Sequence, residues 1–133
     1  MRQPDLDSRA TAGARVTEGE LASSLRIDGS DEFPAVYATS RMVALMEVAA
    51  SRVLAPHLEG DELSVGVAVD IIHTAATPPG AGVTATAKLI AIEGKLFVFE
   101  VSAADNAGEI GRGTHKRAVV QTARLQAGAA KRI

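Results

Sequence analysis

The sequence predicts an α+β fold in which a curved antiparallel sheet of about five strands wraps around one central helix. Three observations carry that expectation. Ser40 to Leu54 repeats its apolar residues at helical spacing. The later stretches from Leu63 onward are alternating or rich in β-branched residues. The joints between those stretches are short turns, which suit antiparallel neighbours, while a lone helix needs an apolar face to lie against.

Residues 1 to about 14 are polar and aperiodic and read as a loose N-terminal arm, with the domain itself over 15–127 and a frayed end over 128–133. Val16 to Ile27 reads as a strand, and Ile27 to Phe33 as loop with Asp-Gly and Ser-Asp turn signals. In the helix, Met42, Leu45, Met46, Ala49, Ala50 and Val53 share a face, Thr39 or Ser40 can cap the start, and Pro56 marks the end. From Leu63, the residues Val65, Val67, Val69 and Ile71 alternate on one face in a run that ends at His73. Pro78-Pro79-Gly80 is a turn, Val83 to Ile92 a strand, Glu93-Gly94 a hairpin signal, and Leu96 to Ala104 another strand. Asp105 to Gly108 turns the chain into a last strand, Ile110 to Leu125. A sheet curled around one Ala/Met/Leu-rich helix is the hot-dog arrangement; a generic α+β sandwich also fits the pattern.

Composition narrows the function classes. The chain has 133 residues, 47% of them hydrophobic, with three Phe and one Tyr, so the core must rest on aliphatic side chains and alanine. Few aromatics and a formal net charge of -2 argue against a nucleic-acid platform. With no cysteine there is no disulfide, thiolate metal site or thiol nucleophile. Met1 leads into RQPDLDSRATAGAR, which is not a secretory signal, and no apolar stretch approaches the ~20 residues that cross a bilayer. The expected location is the cytoplasm, with no membrane partner.

Three residues stand out as candidates for chemistry. Glu47 is surrounded by Val43, Ala44, Leu45, Met46, Val48, Ala49 and Ala50, a setting in which a carboxylate is costly unless paired or protonated. Its bland explanation is a helix face that reaches solvent, or a pair with Arg41 or Arg52. His73 closes an apolar strand, where an imidazole suits acid/base work near neutrality or is simply a satisfied edge histidine. Thr39 stands at the helix entry, as a cap or as a hydroxyl beside N–H groups that suit a developing oxyanion. His57 and His115 have less to mark them. A hydroxyl, a carboxylate and an imidazole together are the residue types acyl transfer needs.

These residues lie in stretches that resemble a known family. EFPAVYATSRMVALMEVAASRVLAPHL (Glu32 to Leu58), GVAVDIIHTAATPPG (Gly66 to Gly80) and DNAGEIGRGTHKRAVV (Asp105 to Val120) resemble the fluoroacetyl-CoA thioesterase branch of the hot-dog superfamily. The resemblance implies catalytic roles for Thr39, Glu47 and His73, and substrate contacts from Gly66, Arg117 and Phe33, the last as a gate to the acyl pocket. It also implies a homodimer with active sites between subunits. No metal or separate cofactor is implied, since CoA is part of the substrate. The segment before Phe33 is shorter and less aromatic than the family's lid, and Tyr37 stands where the family has phenylalanine.

The expectation is therefore an enzyme that hydrolyses a short-chain acyl-CoA to a carboxylate and free CoA, without strong preference for fluoroacetyl-CoA over acetyl-CoA. Arg112, Lys116, Arg117 and Lys88 are candidates to meet the CoA phosphates. Two rivals remain: another acyl-CoA enzyme on this fold, such as a hydratase, which would want an Asp/His pair in a tight motif; and a non-catalytic acyl-CoA-binding domain, which would not need all three polar groups.

Overall fold

The computed structural model describes residues 1–133. Strand β1 (Arg9–Arg15) leads through two 3-10 turns to helix α1 (Thr39–Leu54). Strands β2 (Glu62–His73), β3 (Gly82–Glu93), β4 (Leu96–Asp105) and β5 (Gly108–Gln121) follow, and a short helix α2 (Thr122–Ala130) closes the chain. The five strands form one antiparallel sheet in the order β1-β3-β4-β5-β2. The α+β class and the single central helix are as expected. No helix is long and apolar enough to cross a membrane.

Helix α1 buries Met42, Met46, Ala49, Ala50 and Val53 of the stripe its periodicity predicts, with Leu54 added and Leu45 only partly buried. It lies on Ala12 of β1, Val83, Ala85, Ala87 and Leu89 of β3, and Phe99, Val101 and Ala103 of β4. Alanines on that sheet face let a helix with two methionines approach closely.

Three boundaries differ from expectation. The stretch read as a loose arm contains β1, which pairs with β3 from Arg9↔Lys88 to Arg15↔Gly82. The strand expected over Val16 to Ile27 is instead two 3-10 turns, Glu18–Glu20 and Ala22–Leu25, with one isolated bridge between Leu21 and Tyr37. Thr17 starts the first turn by donating its backbone N–H and its hydroxyl to the Glu20 carboxylate, a local alternative to strand pairing. The last strand stops at Gln121 because Asp61 seeds a helix there. Its carbonyl accepts the Thr122 N–H and hydroxyl, and its carboxylate accepts the Ala123 N–H. The end expected to fray is thus helical to Ala130.

A further departure positions the candidate site residues. In β2, Gly66 pairs with Arg117 but Ala68 pairs with Lys116, so Val67 is an extra residue, a β-bulge. The alternation expected to run unbroken from Leu63 to His73 therefore changes phase. Val69, Ile71 and His73 face the helix, and beyond the bulge the residues on that side are Gly66 and Ser64 rather than Val65 and Leu63.

Candidate active site

Thr39 is the first helical residue of α1, and the cap position belongs to Ala38, with no side-chain cap bond. Freed from capping, the Thr39 hydroxyl lies 2.7 Å from His73 Nδ1. His73 Nε2 is buried and has no hydrogen-bond partner. The backbone N–H groups of Thr39 and Ser40 donate to no acceptor, leaving donors at the positive end of the helix beside the hydroxyl. Gly111, opposite His73 on β5, allows this approach: a Cβ there would stand 2.6 Å from the Met42 thioether and 2.8 Å from the Ile72 carbonyl oxygen. Thr39 and His73 line a pocket of about 310 Å³ with Ala22, Pro34, Val36, Tyr37 and Thr74 to Ala76. Tyr37 is buried, its hydroxyl donates to the Arg41 carbonyl, and burial pushes its phenol up to about 12, Glu20 adding and Arg41 opposing.

Glu47 is in a second cluster. Eight residues beyond Thr39 on the same helix, it lies about 12 Å further along the axis. The expectation of a buried helix is corrected here in favour of the alternative, a helix face that reaches solvent: the Glu47 side chain is 40% exposed and Ala44 and Val48 beside it are also open. Its partner is neither Arg41 nor Arg52 but Arg117, whose Nη1 donates to Glu47 Oε2 at 3.0 Å. Arg117 is itself buried. Its Nε donates to the Ser64 hydroxyl at 3.0 Å and its Nη2 to the Ser64 carbonyl at 2.9 Å. Gly66 clears the space for this carboxylate, since a Cβ there would sit 2.6 Å from Glu47 Oε2. Within one chain the three catalytic candidates therefore form a Thr39–His73 pair and a separate Glu47–Arg117 pair.

Phe33 is half exposed, in a shallow crevice with Ser23, Arg26, Gly29, Asp31 and Glu32, apart from the Thr39–His73 pocket. Among the candidate phosphate contacts, Arg112 pairs with Glu109, Lys116 with Glu93, and Arg117 is committed to the interior. His115 is the residue that sequence reasoning undervalued. It is 1% exposed, its Nδ1 lies 2.8 Å from the Ala68 carbonyl, and its Nε2 lies 3.1 Å from Arg117 Nη1. Burial pulls its imidazole below the ordinary histidine range, opposed by the Ala68 carbonyl and Glu47 and reinforced by Arg117. Its place two residues before Arg117, on one face of a strand, was the available signal.

A hydroxyl–imidazole pair at a helix N-terminus, with an arginine-held carboxylate on the same helix, is equipment for acyl transfer. A model of the fluoroacetyl-CoA-specific thioesterase family matches residues 16–123. The chain belongs to that family. Over 96 residues it is 52% identical to the fluoroacetyl-CoA thioesterase of Streptantibioticus cattleyicolor, a span of 72% of this chain and 69% of that protein. The solved structure of a fluoroacetyl-CoA thioesterase superposes with a TM-score of 0.92 at 41% identity, covering 98% of each chain. A hot-dog-like protein from Thermanaerovibrio acidaminovorans, 22% identical, shares the fold with a TM-score of 0.82 over 98% of this chain and 93% of that one. As a member of the fluoroacetyl-CoA-specific thioesterase family, the chain is a thioester hydrolase on a hot-dog fold.

Proposed function

We propose that this thioesterase hydrolyses short-chain acyl-CoA, with Thr39, His73 and Glu47 as its catalytic groups. The observation that carries the reading is the 2.7 Å contact between the Thr39 hydroxyl and His73 Nδ1 in a small, mostly apolar pocket. A volume of about 310 Å³ lies at the low end for ligand sites and suits an acyl group of a few atoms. His73 draws the hydroxyl proton to Nδ1 as Thr39 Oγ1 bonds to the thioester carbon. The carbonyl oxygen takes up negative charge against the free N–H groups of Thr39 and Ser40. Collapse breaks the carbon–sulfur bond, and the CoA sulfur leaves with the proton from His73. Water then hydrolyses the threonyl ester, giving carboxylate and restoring the hydroxyl.

Glu47 joins this site across a homodimer in the same proposal. Strand β2 is an edge of the sheet, twelve residues long, and exposes Leu63, Val67, Val69 and Ile72. An unpaired apolar edge of that length is a template for pairing with another strand. Two β2 edges laid antiparallel run the His73 end of one copy toward the Ser64–Gly66 end of the other. That arrangement carries the Glu47–Arg117 pair of one copy toward the Thr39–His73 pair of its partner.

The test is complementation. Thiol release is followed over a panel of acyl-CoAs for the parent, His73→Ala, Thr39→Ala and Glu47→Gln, each of the three variants being expected to lose at least about a hundredfold in kcat. Mixing Thr39→Ala with Glu47→Gln and letting subunits exchange should restore about a quarter of parental activity, because half the dimers then hold one intact site of two. No recovery despite proven exchange would overturn the shared site, and parental rates in His73→Ala would overturn the residue assignment.

A further inference from the structure

We propose that His115 is a positioning residue for hydrolysis: its neutral imidazole holds the Arg117 guanidinium so that Arg117 fixes the Glu47 carboxylate over Gly66. This rests on the catalytic reading of Glu47 given above. The hydrogen bonds fix the state of the ring. The Ala68 carbonyl, 2.8 Å from Nδ1, can only accept, so Nδ1 carries the proton. Arg117 Nη1, 3.1 Å from Nε2, can only donate, so Nε2 must offer its lone pair. One species meets both demands, the neutral Nδ1–H tautomer.

The surroundings favour it. Across the sheet His115 sits between Val69 of β2 and Phe99 of β4, both apolar, with ring centroids 6.4 Å apart in the aromatic pair. The charged groups that face it are Arg117 on its own strand and Glu47 on α1. Ser64 grips the guanidinium from one side and His115 from the other, which leaves one N–H aimed at Glu47 Oε2. The carbonyl that sets the tautomer belongs to Ala68, at the bulge itself. Protonation of His115 would set a second cation against Arg117 and cost the guanidinium an acceptor. A histidine serving only as core filler would owe nothing to either bond.

Two measurements on the parent and two variants decide the matter. Imidazole nitrogen shifts of the full-length parent at neutral pH should report the neutral Nδ1–H form for His115; a doubly protonated ring or the Nε2–H form would overturn the proposal without any variant. In His115→Leu, shown folded by its melting transition, the Arg117 guanidinium N–H groups followed by nitrogen NMR should exchange with water about tenfold faster than in the parent. Its kcat for acetyl-CoA should fall about tenfold while KM stays within about threefold. His115→Gln, whose amide oxygen reaches toward the place of Nε2, should recover most of kcat and the parental Arg117 exchange. Equal losses in Leu and Gln variants with Arg117 exchange unmoved would mean mere packing and overturn the proposal. Glu47→Gln in parallel separates the two readings: parental hydrolysis there removes the catalytic role of Glu47, whereas Arg117 exchange in His115→Leu still decides whether His115 holds the guanidinium.

Discussion

At the scale of single residues, the two polar pairs make different demands. Thr39 is exposed and its hydroxyl bonds only to His73, so under the proposed mechanism its replacement should change chemistry more than stability. Thr39→Ser should keep measurable hydrolysis and Thr39→Ala should not, with melting temperatures within a few degrees of the parent, about 1 kcal/mol or less. Glu47 is the reverse case as well as a candidate for chemistry. Glu47→Ala strands the buried guanidinium of Arg117, and a loss of about 1–3 kcal/mol in denaturant unfolding is expected, below the range for fully buried pairs because Glu47 is partly open to solvent. His115 adds a pH signature. Its folded pKa lies below the unfolded value of 6.5, so the unfolded chain binds the extra proton first. Stability is fully present above pH 6.5 and falls as acidification carries the folded imidazole through its own depressed value. Melting curves from about pH 8 to about pH 5 should show that loss in the parent, and His115→Gln should remove it.

At the scale of elements, glycines and caps decide how closely parts meet. Gly111→Ala sets a methyl group against the flexible Met42 side chain, which can yield, and against the Ile72 carbonyl, which cannot. A cost of about 1–3 kcal/mol is expected, together with reduced kcat as the first turn of α1 lifts from His73. Asp61→Ala removes a carboxylate that caps α2 from a distant part of the chain. Amide exchange within α2 should rise while kcat holds, for a local loss of about 1 kcal/mol. These elements were unequally legible in sequence. The α1 stripe was plain because Met42, Met46, Ala49, Ala50 and Val53 repeat strongly. Strand β1 was hidden because RATAGAR has no β-branched or aromatic residue except threonine, and its place in the sheet comes from what β3 offers it. Arg117 could not be matched to Glu47 by local pattern, as 70 residues separate them.

At the scale of the whole molecule, the proposed dimer answers the open edge of β2 and the divided polar groups together. Lysines at Leu63 and Val67 should leave a folded monomer at about micromolar concentration, seen by sedimentation, with hydrolysis lost although Thr39 and His73 are untouched. A parent that is monomeric and fully active would refute the shared site. The bulge was the least visible feature, since Leu63, Val65, Val67, Val69 and Ile71 spell an unbroken alternation; Gly66 within that run was the sole warning. Its consequence is that β2 is metered like a gear train. The extra tooth at Val67 sets one end of the strand out of phase with a simple pleat so that Ser64, Gly66 and His73 all turn toward the helix. Deleting that one apolar residue would leave composition and hydropathy almost unchanged, yet would turn one end of the strand inside out. In this family member, strand length is as much a functional quantity as any side chain.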